Sequence, residues 1–156
     1  MSGERELIRT SLEVGFGAGF IPEQLVRYRG RLTRAIPHTS SYPFEDAQFD
    51  VVLMEGSGLT PEAIREAHRV LVPKIGRLFF IVPEKTRSQP GWTVSDVYAF
   101  VRNGFDIVGV ERPSWWLFGR KGHTLTIQAR KKTWKAYQGL SHDTSVPIAP
   151  FRRSPL

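Results

Sequence analysis

The sequence LEVGFGAG at residues 12–19 decides the fold of this chain. It predicts the end of a short strand, residues 10–14, that breaks into a glycine turn and opens a helix. Glycines at alternate positions allow positive φ and leave no Cβ between the main chain and a ligand. Amide groups at a helix start suit an anion or a polar ligand. The dinucleotide fingerprint G-x-G-x-x-G is not met, because Phe20 replaces its third glycine. A structural strand–turn–helix that binds nothing is the alternative interpretation.

The composition is that of one ordinary globular domain. The chain has 156 residues, of which 40% are hydrophobic and 24% charged, enough to bury a core. It has no cysteine, which excludes a disulfide framework, a thiolate metal site and a cysteine nucleophile. The first six residues are polar, and no apolar run is long enough to span a bilayer. We therefore expect a cytoplasmic protein that makes no membrane contact.

The net charge of +7 comes entirely from the end of the chain. Residues 1–119 carry 14 Lys/Arg and 14 Asp/Glu, whereas residues 120–156 carry eight basic residues against Asp143 alone. A basic tail on a neutral domain can contact RNA without sequence specificity, and the alternative is a solvated end that aids solubility. The prediction is an α/β domain at residues 1–135 and a basic, Pro-containing tail at 136–156.

Strand-like and helix-like segments alternate through residue 110, which predicts a parallel sheet covered on both faces. The expected strands are 10–14, 31–36, 49–54, 77–82, 106–110 and 123–129. Helices are expected from about residue 19 to 29, after a Thr60 cap and after a Thr93 capping box, and a loop at 113–122. No helix separates the last two strands, so one of them should run antiparallel. A ligand of such a fold binds at the carboxyl ends of the strands, where 15–19 and 55–58 fall.

Four stretches resemble motifs of the class I S-adenosylmethionine-dependent methyltransferases of type 11. The pattern acidic-x-Gly-x-Gly-x-Gly led by Glu13 resembles their first motif. YPFEDAQFDVV at 42–52 is similar to Leu-Pro-Phe-x-Asp-x-x-Phe-Asp-x-Val, and AHRVLVPKIGRL at 67–78 is similar to Arg-Val-Leu-x-Pro-Gly-Gly-x-Leu. Gly104-Phe105 and a last strand ending in Arg130-Lys131 are similar to the final hairpin. The resemblance implies an α/β, Rossmann-like, doubly wound and mostly parallel sheet with a C-terminal antiparallel strand.

The resemblance also implies S-adenosylmethionine as the cofactor. The cofactor-binding positions it implies are Glu13, Gly15, Phe16, Gly17, Gly19, His38 and Glu55. Of these, His38 stands where the family has its adenine-contacting aspartate, five residues before the Pro of Pro-Phe. No catalytic residue and no metal ligand are implied, because methyl transfer mainly needs the sulfonium and the acceptor held in line.

The segment after the glycine turn departs from the family. In the family, the helix after the glycine turn (helix A) leads to a second strand, and the final acidic residue of that strand holds the ribose hydroxyls. A further helix (helix B) and a third strand follow. Here only residues 20–35 precede Ile36, which is about one helix and one strand, so the second strand and helix B are expected to be missing or shortened. No acidic residue lies between Glu23 and Glu45, so cofactor binding is expected to be weak or lost.

Two functions therefore stay open at this point. The first is a minimal methyltransferase with an unknown acceptor, completed by a partner chain. The second is a non-catalytic relative that keeps the sheet as a binding or oligomerisation module and contacts protein, or RNA through its tail.

The shortened sheet edge predicts a homodimer or a docked partner chain, because an uncovered edge strand exposes unpaired backbone groups. Charge from the arginines at 27, 29, 31 and 34 can instead protect the edge. The aromatic cluster WWLF at 115–118 offers a second contact surface. The four histidines are scattered without a second ligand at metal spacing, and His68 is interpreted as a packing or surface residue.

Overall fold

The computed structural model describes residues 9–17, 20–112 and 123–132, and the backbone alone of 116–117 and 120–121. The strands are β1 (Thr10–Val14), β2 (Leu32–Ile36), β3 (Val51–Met54), β4 (Arg77–Pro83), β5 (Phe105–Glu111), β6 (Trp116–Leu117), β7 (Arg120–Lys121) and β8 (Thr124–Lys131). The α-helices are α1 (Glu23–Val26), α2 (Pro61–Val70) and α3 (Val94–Val101), and Gly56–Gly58 form a short 3-10 helix.

Six strands form one twisted sheet in the order β2-β1-β3-β4-β8-β5. The strands β2, β1, β3 and β4 run parallel, and β8 pairs antiparallel with both β4 and β5. The predicted α/β sheet with one antiparallel strand near its C-terminus is therefore confirmed. The last strand lies between β4 and β5 and pairs with both, which leaves β5 as the second edge strand of the sheet.

Apolar side chains on both sides of the sheet make two cores. On one face Leu12, Val52 and Phe80 pack beneath α2 and α3, and on the other Leu53 and Phe79 pack beneath Leu25 of α1. All four residues of β3 are buried, which is the reason that this strand is a continuous apolar run and not an alternating one. Helices thus cover both faces, as a doubly wound sheet requires.

The two longer helices begin at the residues that their capping signals predict. The Thr60 side chain accepts from the Ala63 amide at 3.0 Å, and Pro61 fills the first helical position. Thr93 and Asp96 exchange hydrogen bonds at 2.9 and 3.0 Å, which is a complete capping box.

The first helix is shorter than the sequence predicts. It ends at Val26, and the expected continuation to Arg29 is wrong. The amides of Tyr28 and Arg29 bond three residues back, at 2.9 and 3.1 Å, in tight turns that return the chain to β2. Tyr28 then stacks on Phe79 with ring centroids 4.0 Å apart. Packing on the sheet has overridden the helical preference of this segment.

The sequence predicts that the family's second strand and helix B are missing or shortened in this chain. The five residues of β2 pair with β1, so the second strand is present as a short strand. Residues 37–50, all described, contain no helix, and an isolated bridge from Phe49 is their one β-contact. As a result β2 is an edge strand of the sheet.

The expected loop at 113–122 is wrong in part, because β6 and β7 pair antiparallel within it. Trp115 and Phe118 of the aromatic cluster lie outside the described residues, as does the tail at 136–156. No helix in the described part of the chain is long and apolar enough to cross a membrane.

Candidate functional site

The glycine turn lies at the carboxyl end of β1, at the edge of the sheet where a ligand of this fold binds. Gly15 has φ +88° and Gly17 has φ +62°, conformations that side chains other than glycine rarely adopt. The Gly15 amide donates to the Ile36 carbonyl at 2.9 Å and ties the turn to the end of β2. The predicted site residue Gly19 lies outside the described residues.

The imidazole of His38 lies in a space that two glycines leave open. A Cβ added to Gly15 would lie 2.2 Å from His38 Nε2, and one added to Gly58 would lie 2.0 Å from His38 Cε1. Both distances are far inside van der Waals contact, so the ring fits because both residues lack a side chain. We call this space, between Gly15 and Gly58, the glycine cradle. Gly58 borders this space because it follows β3, whose end lies next to the end of β1.

Glu55 holds the histidine ring in the glycine cradle. Its Oε1 lies 3.0 Å from His38 Nε2 and also accepts from the Ser57 amide at 3.1 Å and from the Ser57 hydroxyl. Partial burial raises the pKa of Glu55, but the hydrogen bonds from Ser57 and His38 outweigh it and leave that pKa below its ordinary value. Glu55 is therefore a carboxylate at neutral pH. Its own amide donates to the Val14 carbonyl at 2.9 Å, which fixes β3 beside β1.

Glu13, the acidic residue of the glycine motif, is engaged elsewhere. It is 6% exposed on the α1 face of the sheet, and its Oε2 accepts from Arg29 Nε at 2.5 Å. Arg29 reaches it because α1 ends early and the chain turns back over β1. No local pattern in the sequence predicts this ion pair, since it depends on where the helix stops.

The aromatic residues of the glycine motif have different environments. Phe16 is partly buried and packs on the core beneath α1, so its side chain has a structural role beside the turn. Phe20, which stands in place of a third glycine, is 81% exposed.

The arrangement suits binding more than acid–base chemistry. Of the residues that the resemblance implies for the cofactor, Gly15, His38 and Glu55 meet at one end of the sheet, whereas Glu13 and Phe16 face the α1 side. Within the described residues no three His, Asp or Glu side chains come together as a metal site. His68 packs edge-on against Phe105 with centroids 5.6 Å apart, in agreement with its interpretation as a packing residue.

Comparison with known proteins shows which solved structures have a similar fold. The sequence matches no protein-family model and no curated protein. The structure resembles a SAM-dependent methyltransferase from Methanosarcina mazei, with TM-score 0.56 and 16% identity over 80% of this chain and 92% of that one. A SAM-dependent methyltransferase from Aquifex aeolicus gives TM-score 0.54 and 16% identity over 82% and 87% of the two chains.

A third similar structure was solved with two small molecules bound. It is the 1,6-didemethyltoxoflavin-N1-methyltransferase of Burkholderia thailandensis, with bound 1,6-didemethyltoxoflavin and S-adenosylhomocysteine. The TM-score is 0.56 and the identity 19%, over 84% of this chain and 74% of that one. At such identities the likeness is one of fold. This chain therefore has the fold of the class I S-adenosylmethionine-dependent methyltransferases.

Proposed function

We propose that this protein binds S-adenosylmethionine at the glycine cradle and transfers its methyl group to an acceptor. The observation that carries the proposal is the pair of glycines, Gly15 and Gly58, whose missing side chains leave room at adjacent strand ends, room that the His38 ring occupies and that a ligand would take by displacing the ring. The fold of the chain, shared with S-adenosylmethionine-dependent methyltransferases, supports the same ligand.

The residues present fit the methionine end of this cofactor. A Cβ added to Gly17 would meet no atom of the described residues within 4 Å, so none of them fills the space beside the turn. The amides of the turn suit a carboxylate, and the ionised Glu55 suits an ammonium group. When bound, the cofactor supplies a methyl group activated on a sulfonium, and the protein has to position it toward the acceptor. We assign that positioning to the turn and to Glu55.

The ribose end is less well provided for, so we expect weak binding. The strand β2 ends at Ile36 and is followed by Pro37 and His38, so no acidic residue follows it directly to hold the ribose hydroxyls. Loss of a charge-assisted hydrogen bond removes roughly 1.5–3 kcal/mol, or about tenfold or more in affinity. Weak binding through the methionine end is the consequence.

Calorimetric titration with S-adenosylmethionine and S-adenosylhomocysteine tests the proposal. The wild type should bind both ligands, and Gly17→Val should abolish binding because its side chain fills the open space. Gly17→Asn repeats the test with a side chain that tolerates positive φ better. Gly109→Ala, in β5, is the control and should bind normally. Absence of wild-type binding at millimolar ligand would refute the cofactor, and binding unaffected by both Gly17 variants would refute the site.

A second function is favoured by the exposure of β2. Leu32, Thr33, Arg34 and Ala35 are exposed, and Leu32 retains 59% of its accessible surface. The bonds of Leu32 and Ile36 to the β1 side leave the backbone groups of Thr33 and Ala35 pointing outward. We propose that a second copy of the chain pairs along this edge, which makes the sheet an oligomerisation module whether or not a cofactor binds.

Charge selects the register of that pairing. An antiparallel pair centred on Arg34 would place two guanidinium groups opposite each other, which is unfavourable. A pair centred on Thr33 instead places Leu32 of one copy opposite Arg34 of the other, so the arginine stem covers the exposed leucine. The second register is the one that we propose.

Ala35→Pro tests the pairing without disturbing the ladder between β1 and β2, because the Ala35 amide points away from β1. Light scattering at micromolar concentration should give a mass near twice 17.7 kDa for the wild type and near 17.7 kDa for the variant. Ala35→Thr keeps the amide and should remain dimeric. A wild-type mass near 17.7 kDa would refute the dimer and leave the cofactor proposal intact. We also propose the cytoplasmic location that the sequence predicts.

A further inference from the structure

A groove of about 400 Å³ lies between α2 and α3, on the opposite face of the sheet from α1. We call it the α2–α3 groove, and it is lined by residues that include Ile64, Arg65, His68, Phe100, Val101 and Gly104. Its floor is apolar, because Ile64 and Val101 belong to the main core and Phe100 packs against that core. The groove shares no lining residue with the glycine cradle, so the proposed function gives it no role.

The last described residue of the chain is fixed at this groove. The Lys132 amide donates to the Gly104 carbonyl at 2.9 Å, and the His68 Nε2 lies 3.3 Å from the Lys132 carbonyl oxygen. Lys132 Nζ donates to the Arg102 carbonyl at 2.5 Å. Two residues that line the groove therefore hold the backbone at the point where the chain leaves β8.

The sequence that follows carries apolar side chains at a regular spacing. Residues 133–140 read TWKAYQGL, with Trp134, Tyr137 and Leu140 three residues apart. Two residues extend at most about 7 Å, and this length of chain after Lys132 is enough for Trp134 to reach the groove. A volume of about 400 Å³ is at the small end for ligand pockets and suits the side chains of one short segment.

The electrostatics of the groove agree with an aromatic occupant. Burial, and then the charge of Lys131, lowers the pKa of His68 below its ordinary value, so the ring is neutral at pH 7. The exposed Arg65 at the rim can lie over an aromatic ring, an arrangement that Trp and Tyr favour. No acidic side chain is among the residues that line the groove.

We propose that residues 133–140 of the same chain occupy the α2–α3 groove, with Trp134 beside Phe100 and Gly104. The segment then seals the main core from the side where β8 ends. The α/β domain would extend to Leu140, beyond the boundary at residue 135 that the composition predicts.

A double-mutant cycle in the full-length chain tests the contact. Trp134→Ala and Phe100→Ala should each lower the thermal midpoint by roughly 4–8 °C, as expected for a half-buried aromatic residue in a chain of this size. If the two rings touch, the double variant should fall short of the sum by about 2–6 °C. The control pairs Trp134→Ala with Tyr98→Ala, an exposed residue of α3, and should be additive. Additive losses in the first cycle would overturn the proposal, as would an unchanged midpoint in Trp134→Ala.

Disulfide trapping gives a second measurement that does not depend on stability. Because the chain has no cysteine, Asn103→Cys with Gln138→Cys introduces the one possible disulfide. Mild oxidation should shift the mobility of this variant on a non-reducing gel. Asn103→Cys with Ser154→Cys is the control and should stay open. Equal trapping in both pairs, or none in the first, would overturn the assignment.

Discussion

Replacing His38 with alanine should strengthen the binding of S-adenosylhomocysteine. In the wild type the ring fills the glycine cradle and is held by one hydrogen bond of 3.0 Å to Glu55. A ligand seated on the turn has to displace the ring and break that bond. The two side chains are 32% and 38% exposed, so the bond is worth about 0.5–1.5 kcal/mol and not the larger value of a buried pair. Removing it corresponds to roughly 2- to 13-fold tighter binding.

Titration calorimetry of the wild type and His38→Ala under identical conditions measures the effect. His123→Ala is the control, since His123 is an exposed histidine that lies before β8 and whose described hydrogen bonds are made by its backbone. His38→Asp places an acidic residue after β2 and should bind more tightly than His38→Ala if the aspartate reaches the ribose. Weaker binding by His38→Ala would refute the reasoning, because the ring would then be a ligand contact, as the family resemblance implies for this position.

Other expected outcomes concern the Arg69 network, the buried hydroxyl of Tyr42 and the basic tail. Arg69 donates to Glu66, to Asp46 and to two loop carbonyls, so Arg69→Ala should lower the free energy of unfolding by about 2–3 kcal/mol in urea at pH 7. The Arg69 hydrogen bond also holds the pKa of Glu66 below its ordinary value of 4.5, so this stabilisation is present above that pH and is lost as the pH falls. The gap between wild type and variant should therefore shrink at pH 4, and a constant gap contradicts the assignment. Tyr42 is 3% exposed and its hydroxyl has no hydrogen-bond partner among the described residues, so Tyr42→Phe should stabilise the protein by about 1 kcal/mol. A chain that ends at Lys132 should elute from a polyanion resin at lower salt than the full-length protein, and absence of any retention of the full-length protein would show that the tail is only a solvated end.

The sequence by itself determined the elements whose signals are local. Thr60 and Thr93 predicted the helix starts, because a cap needs only a hydroxyl and an amide three residues apart. The run VVLM predicted a strand buried on both faces, because only apolar residues can occupy such a position. The positive φ of Gly15 and Gly17 was likewise implied by the residue type alone. These features account for the fold class and for the position of the candidate site.

The tertiary structure decided which residues meet across the sheet. His38 fills the glycine cradle only because β1 lies between β2 and β3, so that residues 15, 38 and 58 come to one end of the sheet. Glu13 pairs with Arg29 because α1 ends after four residues, where stacking of Tyr28 on Phe79 outweighs helical propensity. The α2–α3 groove and the end of β8 come together because β8 inserts between β4 and β5. Each of these contacts joins residues far apart in the chain, and hydrophobic periodicity carries no information on such pairings since it reports only which face of an element is buried.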